Sequence, residues 1–272
     1  MPKLTTALLL VFSLGLAGCG AGTPTPPSAP PKPPPVTTAV APQGKPRGEL
    51  TPVKLQPQGP GTHLEKLPLT DGPELHWAVS VPKGYDGQKP VPLVVVLHYS
   101  GRDKEWYGNA MLGSLVEPAF RELGAILVAP DSVGDDWAND ENSAYVRFLA
   151  ESVKQTYAID AKKVVVTGFS AGGIGSWYIA AKNPDVFAAA VPVAGQPAGA
   201  SADDWKVPVY AIHSDKDDRL PVGPTKAFVE KIAAKDKRHR LELLKNGPGH
   251  FDVPAYVEPL KGAVAWLNEI WK

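Results

Sequence analysis

From residue 61 to residue 272, short apolar runs alternate with segments of helical period, and this alternation limits the chain to few folds. The apolar runs lie at 75–81, 93–98, 125–129, 164–167, 189–193, 207–213 and 240–244, and the helical stretches at 108–123, 143–157, 172–182, 223–234 and 254–271. Runs such as Leu93-Val94-Val95-Val96-Leu97 are continuously apolar, as expected of strands buried on both faces. The pattern predicts an α/β fold, a mostly parallel, doubly wound sheet flanked by helices. With 43% hydrophobic residues the chain can fill such a core. Ligands of doubly wound folds bind outside the carboxyl ends of the strands, so the chemistry is sought in loops that follow strands.

The run Val164-Val165-Val166-Thr167 leads into Gly168-Phe169-Ser170-Ala171-Gly172-Gly173, a G-x-S-x-G motif between a strand and a helix. Flanking glycines let strand and helix approach while the turn presents a serine hydroxyl at the sheet edge. A serine is a weak nucleophile at neutral pH and needs a base, itself oriented by a third group. Of six histidines, His250 stands in Gly247-Pro248-Gly249-His250, a flexible loop between the last strand and the last helix, and is the expected base. His63, His76, His98 and His213 lie before, on or at the ends of strands, and His239 sits among Lys237, Arg238 and Arg240 on what reads as a solvated face. For the acid, Asp215, Asp217 and Asp218 all follow the run at 207–213 and all satisfy the order Ser, acid, His.

These segments together resemble the α/β-hydrolase superfamily, in particular its compact esterases: the polyhydroxybutyrate-depolymerase-like, feruloyl-esterase-like and phospholipase/carboxylesterase types. The resemblance covers residues 159–173, 92–101 and 213–221. In those esterases the strand before the acid commonly ends in H-G-x-x-D-x-x-V-P. Matched to His213, Leu220 and Pro221, the pattern makes Asp217 the implied acid, with Asp215 the runner-up. The elbow makes the Ala171 backbone N–H the first oxyanion donor. The second is implied in His98-Tyr99-Ser100-Gly101, at Ser100 with Tyr99 the alternative. Tyr99 and Ser214 stand where those esterases have glycine. Dienelactone hydrolases share the fold but use cysteine where this chain has Ser170.

The implied activity is that of a serine esterase acting on a small-molecule or polymeric ester. A peptidase of the same fold and a non-catalytic binding module are the alternatives, and the module should lack a member of the triad. No metal, nucleotide or flavin motif stands out, so no cofactor is expected. Asp131, Asp135 and Asp136 read as a solvated acidic loop rather than a calcium site. Trp106, Tyr107 and Trp137 follow strands and are either cleft lining or packing.

The N-terminus has its own logic. Lys3 precedes a mostly apolar run from Ala7 to Gly18 that is too short to span a bilayer and reads as an export signal. Leu16-Ala17-Gly18-Cys19 resembles the lipobox of bacterial lipoproteins, which implies a lipid anchor on Cys19 in the cell envelope; a conventional signal peptide would leave the cysteine free. Gly20, not aspartate, follows Cys19, which implies outer-membrane delivery in a Gram-negative host. Residues 20–60 carry 13 of the 30 prolines and predict an extended spacer, leaving the hydrolase domain at 61–272. The 28 basic and 28 acidic residues cancel, which argues against nucleic acid as a partner.

Overall fold

The computed structural model describes residues 50–68, 74–101, 104–134 and 136–272. The chain divides into two units, Met1–Gln43 and Gly44–Lys272, and every described residue lies in the second. Cys19 and most of the Pro-rich segment fall outside the described residues.

Eight strands form one sheet: β1 Gly61–Pro68, β2 Glu74–Val81, β3 Val91–Leu97, β4 Ile126–Pro130, β5 Ile159–Phe169, β6 Ala189–Val193, β7 Tyr210–Ser214 and β8 Arg240–Leu244. They are ordered β1-β2-β4-β3-β5-β6-β7-β8. The pairs β1/β2 and β2/β4 are antiparallel and the others parallel. This is the α/β-hydrolase fold. Alternate residues explain the unbroken apolar runs: Leu93, Val95, Leu97, Val164 and Val166 enter one core, Val94, Val96, Val165 and Phe169 the other. Because β3 pairs with both β4 and β5, the chain winds in opposite directions on its two sides, and the crevice general to such a switch point belongs at the carboxyl ends of β3 and β5.

The helices are α1 Tyr107–Met111, α2 Glu117–Phe120, α3 Asp140–Thr156, α4 Ala171–Lys182, α5 Gly223–Lys235 and α6 Val257–Ile270. The single helix expected at 108–123 is instead a chain of short turns: a π-helical segment, Leu112–Val116, separates α1 from α2, and a 3₁₀ turn, Arg121–Leu123, follows. The helix expected from 254 begins as a 3₁₀ turn, Val253–Tyr256, and becomes α-helical only at Val257.

Strand β1 was not anticipated. It is an edge strand whose Leu64 is 51% exposed, so its sequence lacks the inward apolar alternation that marks a half-buried strand.

The expected boundary between spacer and domain also moves. The backbone N–H groups of Val53, Leu55 and Gln58 donate to Ser152 Oγ (3.0 Å), Thr156 Oγ1 (2.8 Å) and the Tyr157 hydroxyl (2.8 Å), at the end of α3. Leu55 is buried in the core. Residues assigned to the spacer are thus strapped to the folded body, because proline density says nothing about the donors left between the prolines.

Candidate active site

β5 ends at Phe169 and α4 begins at Ala171, so Ser170 alone makes the turn, at φ 57° and ψ −115°. A side chain in this left-handed region costs about 1–3 kcal/mol and persists only where its surroundings enforce it. They do so by proximity. A Cβ on Gly168 would lie 2.5 Å from the Gly172 carbonyl oxygen, and one on Gly172 would overlap the Leu97 carbonyl. The Ser170 N–H donates to the Val193 carbonyl (3.0 Å), tying the elbow to β6. Ser170 is left half-buried at the carboxyl end of β5.

His250 lies in the loop between β8 and the 3₁₀ turn. Its Nε2 is 2.8 Å from Ser170 Oγ and its Nδ1 is 2.7 Å from Asp217 Oδ2. An ionised carboxylate only accepts, so Nδ1 carries the proton and Nε2 accepts from the serine hydroxyl. His250 and Asp217 are buried, at 4% and 7% exposure. The other Asp217 oxygen accepts the N–H groups of Arg219 (3.0 Å) and Leu220 (2.8 Å). Asp215 and Asp218 are exposed. Of the three candidate acids, the structure brings only Asp217 to His250.

The loop after β3 is held from several sides. His98, 2% exposed, has Nδ1 2.7 Å from the Tyr99 carbonyl, and its Nε2 accepts the Ser132 N–H at 3.1 Å. The proton therefore sits on Nδ1. Trp137 Nε1 donates to the His98 carbonyl at 2.8 Å. Since the peptide bond is trans, the Ser100 N–H points opposite to the Tyr99 carbonyl, away from the His98 ring. Ala171 opens α4, where the first N–H groups have no acceptor within the helix and the positive end of the dipole lies.

Of the three aromatic residues considered for the cleft, Trp137 is a buried prop of this loop. Trp106 stacks on His76 (4.9 Å) and donates to the Glu65 carbonyl (3.0 Å), so its ring serves packing at β1 and β2. Tyr107 packs edge-on against His98 (5.0 Å) and Tyr99 (5.5 Å), beside the crevice.

Asp131 is buried and accepts the Gly108 N–H (3.0 Å), so it is not solvated as its sequence context suggested; Asp135 lies outside the described residues. His239 is 6% exposed and likewise off the solvated face assigned to it. Burial pushes its imidazole below the usual range. His98 and His213, read from sequence as structural, both grip site loops; their place at carboxyl ends of strands was the available signal.

The sheet order and the flanking helices define an α/β-hydrolase fold with a serine at the turn between β5 and α4. The chain matches the dienelactone hydrolase family over residues 114–252, just over half its length, and belongs to that family. The serine at 170 therefore does not set it apart, contrary to the distinction drawn from sequence. It is 29% identical over 154 residues to feruloyl esterase C of Emericella nidulans, covering 54% of this chain and 56% of that one. The chain thus spans about half the length of the curated relatives it matches. Among solved structures it is similar to a thermostable esterase (TM-score 0.65, 22% identity, 76% of this chain and 62% of that chain). It is also similar to Staphylococcus aureus FphF, a fluorophosphonate-binding serine hydrolase (TM-score 0.62, 16% identity, 77% and 99%).

Proposed function

We propose that this chain is a serine hydrolase that cleaves carboxylic esters through an acyl-enzyme on Ser170. The observation that carries the reading is the line Ser170 Oγ, His250 Nε2, His250 Nδ1, Asp217 Oδ2, with hydrogen-bond distances of 2.8 and 2.7 Å at its two links. As Ser170 Oγ bonds to the ester carbonyl carbon, its proton passes to His250 Nε2, and the imidazolium is stabilised by Asp217. The oxyanion is received by the N–H groups of Ala171 and Ser100; one such donor is worth about 10²–10³ in rate. Collapse breaks the ester C–O bond, and the alcohol leaves with the proton from Nε2. Water then repeats the sequence on the acyl-enzyme and releases the acid.

The family and the feruloyl esterase relative favour an ester over a peptide substrate, and a binding module has no need of an aligned acid and base. Assaying the full chain with p-nitrophenyl esters of graded length, feruloyl esters and polyhydroxyalkanoates tests the reading. Turnover of at least one ester class is expected, and failure on all of them counts against it.

The same proposal places the enzyme on a membrane by a lipid at Cys19, supported by the Leu16-Ala17-Gly18-Cys19 sequence after an export-type segment. Among the described residues no helix is long and apolar enough to cross a membrane. Stable anchoring takes two signals, such as two acyl chains, which lipoprotein processing supplies at one cysteine. The full chain expressed in a bacterium should enter the detergent phase, and Cys19→Ala should release it. Retention of the variant with membranes would contradict the anchor.

A further inference from the structure

Beyond the triad, a second imidazole reaches the acid. His213, on β7, is fully buried, and its Nε2 lies 2.7 Å from the Leu220 carbonyl and 3.4 Å from Asp217 Oδ2. A carbonyl cannot donate, so Nε2 carries a proton that points into the turn holding the acid. Its Nδ1 is 3.1 Å from Thr225 Oγ1 on α5, which fixes the ring from behind. Burial holds His213 below the usual imidazole range, so it meets the carboxylate as a neutral donor.

These contacts close on themselves. Asp217 Oδ1 accepts the Leu220 N–H, the Leu220 carbonyl faces the His213 N–H, and that N–H faces Asp217 Oδ2. Asp217 belongs to a loop, yet its carboxylate must meet His250 Nδ1 to within about 0.5 Å. A fully buried side chain rooted in a strand of the sheet, β7, paired on both sides, supplies the reference that the loop lacks. We propose that His213 is a positioning residue for the acid: it registers the turn 217–220 to the sheet, so that Asp217 Oδ2 stays on His250 throughout turnover. This rests on the proposed esterase reading, but its geometry can be tested without turnover.

The test compares His213→Phe, which keeps a ring but has no donor, with His213→Gln, whose amide nitrogen can take the place of Nε2, both in the full chain. Thermal melts establish that each is folded. His213 touches no substrate, so His213→Phe is expected to lower kcat by about 10²-fold, the scale of a misplacement near 1 Å, with KM unchanged. His213→Gln is expected to recover to within about tenfold of the parent by restoring the hydrogen bond. Independently, the low-field proton resonance of His250 Nδ1–H should be present in the parent and in His213→Gln and broadened or lost in His213→Phe. If folded His213→Phe keeps both kcat and the resonance, the proposal is wrong. Equal losses in both variants, tracking their stability, mean a structural role and also overturn it. If the parent hydrolyses no ester, the esterase reading fails, and the resonance alone decides whether His213 positions the acid.

Discussion

Ser170 and His250 lie 80 residues apart in sequence, yet His250 Nε2 rests 2.8 Å from Ser170 Oγ. Neither owes this to local sequence alone. Ser170 is placed by the close approach of β5 and α4, and His250 by a loop that must cross above two further strands, β6 and β7. The contact joins a rigid elbow to a loop fixed by its own partner, Asp217.

The acid gives a sharp mutational contrast. Asp217→Asn replaces an acceptor with an amide that can offer N–H to His250 Nδ1, which selects the wrong tautomer. Turnover should fall by several orders of magnitude, on the scale of about 10⁴ that this substitution costs in a serine protease. Asp215→Asn and Asp218→Asn, on exposed side chains, should change kcat/KM less than about threefold. Steady-state kinetics on the three variants decides it; a large loss in Asp215→Asn would show that the acid is not Asp217.

Much of this was readable in the sequence, for a physical reason. Strands buried on both faces leave unbroken apolar runs, and a turn that tolerates no Cβ leaves glycines at 168 and 172, so the fold and the serine-bearing turn were legible. The residues alone left three candidate acids, because Asp215, Asp217 and Asp218 share a loop whose geometry depends on His213 and Leu220, and only the family resemblance singled out Asp217, the one whose carboxylate meets His250. The edge strand β1 and the docked segment before it were not legible. Both are held mainly by backbone hydrogen bonds, to β2 and to side chains of α3, which leave little mark on side-chain pattern. His239 misled for the opposite reason: its basic neighbours lie outside while its own ring turns inward.

The docked segment predicts a length effect. A fragment starting at residue 61 loses the burial of Leu55 and three hydrogen bonds that a fragment starting at residue 50 keeps. The longer fragment should be the more stable and should show the higher urea midpoint, because its folded state alone makes these contacts. Urea denaturation of the two fragments measures it. Equal midpoints and slopes would show that the strap contributes nothing.

Acid should weaken the fold before its carboxylates titrate. Burial lowers the folded-state pKa of His213 and His239, while in the unfolded chain both titrate near the ordinary value of about 6.5. Below that value the unfolded state binds protons that the folded state refuses, so stability is present above it and falls as pH falls. Asp236, which Arg238 holds down at about 2, makes its contribution in a separate, more acidic window below about 4. Denaturation between pH 7.5 and 5.5 should show the loss, and His239→Gln should flatten the slope. An unchanged slope in that variant would remove His239 from the account.

The most direct measurement is covalent. A fluorophosphonate probe incubated with the full chain, followed by peptide mass spectrometry, should place a single adduct on Ser170, and Ser170→Ala should be folded, unlabelled and inactive toward esters. An adduct on a different serine, or ester turnover undiminished in Ser170→Ala, would contradict the assignment of Ser170 as nucleophile and with it the proposed mechanism.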